Sequence, residues 1–224
     1  MKIWIESPYD KSEIVNSARK NRITISRKNP DFVLTYGGDG TILKAEQKYP
    51  GIPKVPVRNS KICSMCISYG KNSLDYLFEK LKRKDYREEK INKVEAILKG
   101  KKFVGINEIQ IHNKDPRTAI RFSLHASGKN FDEVIGDGLI FSTAFGSTAY
   151  YKAAGYEPFK SGIRIGFNNV YPKKGPLELN GEAEVRIIRE KALLIADNID
   201  MIIVNPEETL KIKESNKQAI FVRL

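Results

Sequence analysis

Apolar and polar positions along the chain follow two textures. Up to about Asp85, short apolar runs alternate with stretches of helical spacing. Residues 2–6 alternate as a first strand, 12–19 read as a short helix, and 22–26 as a second strand. After the turn Asn29-Pro30-Asp31, residues 32–36 form a buried third strand, and 42–48 are good helix formers. Residues 54–58 suit a further strand, and 73–82 place Leu74, Leu77, Phe78 and Leu81 on one helical face. Strands alternating with helices predict a parallel sheet with crossover connections. Beyond Asp85 the helical spacing fades. Residues 91–98 and 103–112 flank the turn Lys99-Gly100-Lys101, and 119–127 and 131–135 flank Gly128-Lys129, as in hairpins. Residues 183–189, 192–195, 201–204, 209–213 and 219–222 continue in the same style. Turn signals about every 8–12 residues predict a sandwich or related all-β domain. The fold class is therefore α/β plus all-β, with an N-terminal α/β domain over residues 1–86 and a C-terminal β-sandwich-like domain over 87–224.

One stretch stands out from this pattern: Tyr36-Gly37-Gly38-Asp39-Gly40-Thr41, lying between a strand and a helix. A strand, a tight glycine turn and a helix start aim backbone N–H groups and the positive end of a helix dipole at one spot, which suits an anion. Gly37, Gly38, Gly40 and Thr41 are the phosphate-binding candidates. In an ordinary turn Asp39 or Thr41 would cap the helix. In a mere anion cradle a carboxylate would repel the ligand. Asp39 makes chemical sense if it takes a proton from an attacking hydroxyl or holds a metal ion, both steps of phosphoryl transfer.

Composition narrows the function classes. The chain has 224 residues, 41% hydrophobic and 29% charged, which is enough for a real core and unlike a disordered chain. No apolar run reaches the roughly 18 residues of a membrane span, and the opening Met1-Lys2-Ile3-Trp4-Ile5-Glu6 lacks a signal-peptide core. A cytoplasmic protein with no membrane partner is expected. The net charge of +12 favours anionic partners such as nucleotides, nucleic acid or acidic surfaces. The denser basic run over residues 80–90 reads as a solvated helix face, so no nucleic acid is expected. Cys63 and Cys66 have no ligand-like spacing to His112 or His125; a redox pair stays open beside the favoured reading of two small buried thiols, with neither metal nor required bridge.

Two further constellations carry polar chemistry. Asn107-Glu108 interrupts the apolar run Phe103, Val104, Ile106, Ile109, Ile111; adjacent residues of a strand face opposite ways, so either one of them turns into a cleft or the pair marks an exposed strand end. Gly136-Asp137-Gly138 opens a strand that ends in Ser142-Thr143, and Gly146-Ser147 then opens what reads as a helix over residues 148–153. This is a second pocket of backbone and hydroxyl groups. Tyr150 either stacks on a flat ring or joins the core.

In order and spacing these three motifs resemble the NAD kinase family, whose pattern is Gly-Gly-Asp-Gly-Thr, then Asn-Glu, then Asp-Gly-x-x-x-Ser-Thr-x-x-Gly-Ser-Thr-Ala-Tyr. The resemblance covers nearly the whole chain and implies a Rossmann-like first domain. It implies that Asp39 is the proton acceptor and, with Gly40, touches the dinucleotide, and that Lys44 stands at a basic position near the substrate. It implies that Asn107 and Glu108 bind the adenosine side. Asp137 and the run Ser147, Thr148, Ala149, Tyr150, Tyr151, Lys152 and Ala153 would hold the dinucleotide, with Tyr150 in the adenine region. Asn198, in the turn Asp197-Asn198, would lie near the ligand. The implied reaction is phosphorylation of the 2′-hydroxyl of the adenosine ribose of NAD by ATP or polyphosphate, with a divalent metal, magnesium, whose protein ligands stay open. The implied assembly is a homo-oligomer, a dimer or tetramer, with a dinucleotide pocket drawing on both domains. Two departures bear on donor choice and on NAD against NADH: residues 56–66 lack the family's glycines, and Ala154-Gly155-Tyr156 replaces Ala-Gly-Gly. Two other readings stay open, a diacylglycerol- or sphingosine-type lipid kinase sharing the glycine turn, and a non-catalytic nucleotide or nucleic-acid binder. The lipid kinases' Gly-Thr-Gly-Asn-Asp segment is absent from the sequence.

Overall fold

The computed structural model describes residues 1–58 and 74–224; Cys63, Cys66 and most of the divergent stretch 56–66 lie outside the described residues. The chain divides into two compact units, Met1–Ile91 with Gln218–Leu224, and Asn92–Lys217. Among the described residues, no helix is long and apolar enough to cross a membrane.

The first unit contains β1 (Lys2–Glu6), α1 (Ser12–Lys20), β2 (Thr24–Ile25), β3 (Phe32–Gly37), α2 (Asp39–Lys48), β4 (Lys54–Arg58) and α3 (Leu74–Arg83). Its strands are parallel in the order β2-β1-β3-β4. Every residue of β3 is buried, which is why its sequence is a continuous apolar run rather than an alternation. Ile14 and Ala18 of α1 and the stripe Leu74, Leu77, Phe78 and Leu81 of α3 pack into one core with Ile3, Ile5, Leu34, Val55 and Val57. The second strand is shorter than expected. Arg22 takes a left-handed backbone (φ 54°) to close α1, and the Ile23 N–H still bonds the Ala18 carbonyl, so pairing begins only at Thr24.

The remaining strands are β5 (Arg87–Leu98), β6 (Lys101–Gly105), β7 (Glu108–Asn113), β8 (Ile120–Ala126), β9 (Lys129–Gly136), β10 (Gly138–Thr143), β11 (Ile163–Asn168), β12 (Leu177–Glu178), β13 (Glu182–Arg189), β14 (Ala192–Ala196), β15 (Asp200–Val204) and β16 (Thr209–Arg223). In the second unit they form two facing layers. One runs β16-β13-β8-β9, with β5 and β6 attached; the other is antiparallel in the order β12-β11-β10-β7-β14-β15. Phe122, Leu124, Val185 and Leu210 from the first meet Ile109, Ile111, Leu139, Phe141 and Leu194 from the second in one core, a β-sandwich.

Three sequence expectations change here. The single strand over residues 103–112 is two strands, because β6 pairs with β5 in one layer and β7 pairs with β10 and β14 in the other. The two strands over 209–213 and 219–222 are one, β16; Glu214-Ser215-Asn216-Lys217 is polar but holds neither Gly nor Pro, and the buried Ser215 hydroxyl donates to Glu95. Strands β11 and β12 went unforeseen. The final residues of β16 return to the first unit, where Phe221 pairs in parallel with Lys54 and Val222 joins the core.

Candidate active site

In the first unit, β3 ends at Gly37, extended Gly38 occupies the cap position, and Asp39 is the first residue of α2. The cap position itself is a glycine, with no side chain to offer the helix start. A Cβ on Gly37 would stand 2.2 Å from Thr41 Oγ1, so only glycine lets the first helical turn fold back over the strand end. Among the described residues, a Cβ on Gly38 or Gly40 would meet nothing within 4 Å, so both look into open space. That space is a cleft of about 390 Å3, lined among others by Glu6, Gly38, Gly40, Thr41, Lys44 and Lys48. Lys44 and Lys48 stand one turn apart on the same helical face. Glu6 accepts hydrogen bonds from Lys48 Nζ (2.7 Å) and Trp4 Nε1 (3.1 Å). Burial works to raise the Glu6 carboxyl, but these two donors outweigh it and hold it below the usual range. The cleft thus joins a helix start, two lysines and one ionised wall carboxylate, a set suited to polyphosphate, and half-buried Asp39 stands in the chain between its lining residues Gly38 and Gly40.

The second unit gathers its polar residues where three strand ends meet. Strand β7 lies between β10 and β14, so Glu108 at its start stands opposite Ser142 and beside the end of β14, which leads into Asp197. The Asp197 carboxylate accepts the backbone N–H groups of Ile106 (2.6 Å), Asn107 (2.8 Å) and Glu108 (3.2 Å). Gln110 Nε2 donates to Glu108 Oε1 and to Asn198 Oδ1, both at 3.2 Å. Thr143 Oγ1 donates to the carbonyls of Ile106 and Asn107 and accepts the Gly146 N–H at 3.0 Å. Gly146 lies so close to this loop that a Cβ would come within 2.1 Å of the Asn107 carbonyl oxygen. Asn107 and Glu108 are both buried, which rules out the exposed strand end. Asn107 Oδ1 and Glu108 Oε2 are buried without a hydrogen-bond partner among the described residues.

The other expected residues divide. The stretch after Gly146 is a 3-10 turn (Gly146–Thr148) and a single α turn (Tyr150–Ala153), not one helix, because Ala149 (φ −92°, ψ −123°) interrupts it. Thr148, Lys152 and Ala153 are exposed, and Ala149 is half-buried. Half-buried Tyr150 accepts a hydrogen bond from Asn168 Nδ2. Ser147 is buried, its hydroxyl donating to the Ala144 carbonyl (2.7 Å). Tyr151 is fully buried, stacked on Tyr156 and edge-on to Phe159, so it packs the interior. Asp137 precedes β10, at the opposite end from Ser142, roughly 16 Å away at ~3.3 Å per residue. There Asn113 and Asn169 donate to its carboxylate. This unit therefore does not bring Asp137 together with Asn107 and Glu108. Sequence reasoning missed Gln110, and it quoted Thr143 in the hydroxyl motif without giving it a role of its own. Gln110 was readable, since it lies two residues from Glu108 and so shares its face of β7.

Burial raises the Glu108 carboxyl to about 7, the Asp197 charge adding to the effect and the Gln110 hydrogen bond opposing it. Burial also raises Asp197, to about 6, against its three backbone donors. Both values exceed those of an unfolded chain, so the fold keeps protons that the unfolded chain has released between roughly pH 4 and 7. Raising the pH through that window removes stability. Glu108→Gln has no such proton to lose. It should melt near the wild-type temperature at pH 5 and several degrees above it at pH 8. A melting difference that stays constant across that range would mean that Glu108 titrates normally.

A family described as the ATP-NAD kinase C-terminal domain matches residues 106–224. An NAD kinase from Methanosphaera stadtmanae is 28% identical, the match covering 91% of this chain and 78% of that protein. A bifunctional NADP phosphatase/NAD kinase from Methanococcus maripaludis is 27% identical over 96% of this chain, which spans only 41% of that longer protein. The crystal structure of an NAD kinase from Archaeoglobus fulgidus in complex with ATP superposes with a TM-score of 0.84 at 21% identity, covering 99% of this chain and 93% of the other, and so shares the fold. With the family domain matched over more than half its length, and with the glycine turn, Asn107-Glu108 and the Asp137–Tyr150 motif in family order, the chain belongs to the NAD kinase family.

Proposed function

We propose that this chain transfers the terminal phosphoryl group of ATP, or of inorganic polyphosphate, to the 2′-hydroxyl of the adenosine ribose of NAD, giving NADP. The observation that carries this reading is Asp39 at the start of α2 between glycines that line a cleft, in a chain that matches the family domain over residues 106–224. Asp39 takes the hydroxyl proton while the ribose oxygen attacks the terminal phosphorus. The bond to the bridging oxygen breaks, and the shortened donor leaves. The start of α2 and Lys44 stabilise the charge on the phosphates. Asn107, Glu108, Asn198 and Tyr150 bind and orient the dinucleotide, so that the protein's work is mainly positioning.

Among the described residues, no group of three or more His, Cys, Asp or Glu side chains is gathered as a metal site. Magnesium takes as few as one or two carboxylates together with substrate phosphates, and Asp39, between the cleft-lining Gly38 and Gly40, offers one. A divalent ion held there would neutralise phosphate charge.

The test is to incubate the protein with ATP, magnesium and NAD and assay for NADP. Repeating it with polyphosphate and with NADH reads out donor and acceptor preference. No NADP under any of these conditions would overturn the reading and revive a non-catalytic nucleotide binder; family membership already sets the lipid kinases aside. Assembly into a dimer or tetramer through the second unit is part of the proposal. It is supported by the edge position of β15 and by the exposed Met201 and Ile203 on that strand. Light scattering at micromolar concentration should give a dimer or tetramer mass, and a monomer would count against it.

A further inference from the structure

We propose that Asp197 and Gln110 are positioning residues for the dinucleotide: Asp197 fixes the backbone of residues 106–108, Gln110 fixes the Glu108 side chain, and together they hold Asn107 Oδ1 and Glu108 Oε2 ready for the ligand. The proposal rests on the assignment of NAD as the molecule bound there.

The chain leaves one layer of the sandwich at Gly105 and enters the other at Glu108. A crossing of this kind deprives backbone N–H groups of ladder partners, and a buried N–H needs one. Asp197 supplies acceptors for three consecutive N–H groups, and the Asp197 N–H returns a hydrogen bond to the Glu108 carbonyl (3.2 Å). The clamp is therefore reciprocal. It depends on two successive left-handed residues, Asp197 (φ 49°) and Asn198 (φ 55°), a conformation that Asp and Asn tolerate better than most side chains. The turn presents Asp197 to the crossing and Asn198 to Gln110. Gln110 spends its amide group on Glu108 Oε1 and Asn198 Oδ1, which leaves Glu108 Oε2 unused. Buried acceptors without partners are rare in folded proteins. Two of them, on neighbouring residues held this firmly, are placed for hydroxyl or amino donors brought by a ligand, Glu108 Oε2 once its carboxyl has released its proton.

The experiment measures NAD binding by calorimetry in the absence of phosphoryl donor, with KM and kcat alongside. Gln110→Met keeps the length of the side chain and removes its donor. It should weaken NAD binding and raise KM for NAD about 10–100-fold, with a much smaller change in kcat. Asp197→Asn keeps one acceptor oxygen for the Asn107 and Glu108 N–H groups but turns an NH2 toward the Ile106 N–H, and should act in the same direction. Should Asp197→Asn fail to fold, Gln110→Met carries the test. If Gln110 acts through Glu108, its effect must shrink in a Glu108→Gln background, whereas a merely structural role gives additive effects. Additive effects, or unchanged NAD affinity in Gln110→Met, would overturn the proposal. A wild-type protein that binds NAD without forming NADP would sink the reaction and leave this test standing. One that binds no NAD would sink both.

Discussion

Asp39→Asn is expected to keep the fold and much of the NAD affinity while losing about 10²–10⁴ in kcat, the usual size of a lost general base. Asn is nearly isosteric with Asp and cannot accept a proton at neutral pH, so the ribose hydroxyl would attack unassisted. Asn serves a helix start about as well as Asp, so the turn should survive the exchange. What it removes is one negative charge in the first helical turn, worth about 0.3–1 kcal/mol of stability. If Asp39 also binds magnesium, the loss of turnover should sit at the high end of the range. Initial rates of NADP formation and calorimetric NAD affinity, measured together, check both halves of the expectation. Unchanged turnover would shift the role of base to another carboxylate. Glu108 would be the first suspect, since burial already holds its pKa near neutrality, and Asp137 the second. An unfolded variant would make Asp39 structural.

Lys54→Met is expected to cost about 3–5 kcal/mol of stability, because it leaves the Glu46 carboxylate without its cation in the core. The Lys54 side chain is fully buried at the start of β4, and its ammonium group bonds both Glu46 and the Tyr49 carbonyl. Glu46 is 5% exposed and also accepts the Gly51 N–H at 3.2 Å. The pair ties the last turns of α2 to the sheet, and so holds the helix that begins at Asp39. Trp4, the one tryptophan, lies in β1 of the same unit and should report its unfolding by fluorescence in urea. The companion variant Lys54→Met with Glu46→Leu removes both charges and should recover most of the loss, since paired burial of ions is weak support for a fold while an orphaned ion is a heavy cost. A single variant as stable as wild type would show that the carboxylate finds other partners.

The sequence was most legible where contacts are local. The α3 stripe buries the four residues that its spacing picked out, because helical periodicity is a property of neighbours along the chain. The glycine turn was legible because a strand and a helix flank it and only glycine tolerates the approach of Thr41. The second constellation was legible in its residues but not in its geometry. Asp197 meets Asn107 across a sequence separation of 90 residues, and no local pattern announces which acceptor will serve a strand crossing. Tyr150 and Tyr151 are equally apolar, and only the short turn, broken at Ala149, decides that Tyr151 faces the interior. The separation of Asp137 from Glu108 follows from the length of β10, which the motif spacing already contained but did not orient.

The last strand, β16, has a consequence for how the chain is made. Its final residues complete the first unit, whose other members all lie before Asn92. A ribosome releasing the chain from its N-terminus therefore delivers β1 to β4 long before the strand that pairs with Lys54. Until Phe221 and Val222 emerge, β4 lacks that parallel neighbour and the core lacks one of its side chains. The unit carrying the glycine turn thus waits for a strand that follows the whole sandwich in sequence, and its sheet keeps an unfinished edge while the sandwich is being synthesised.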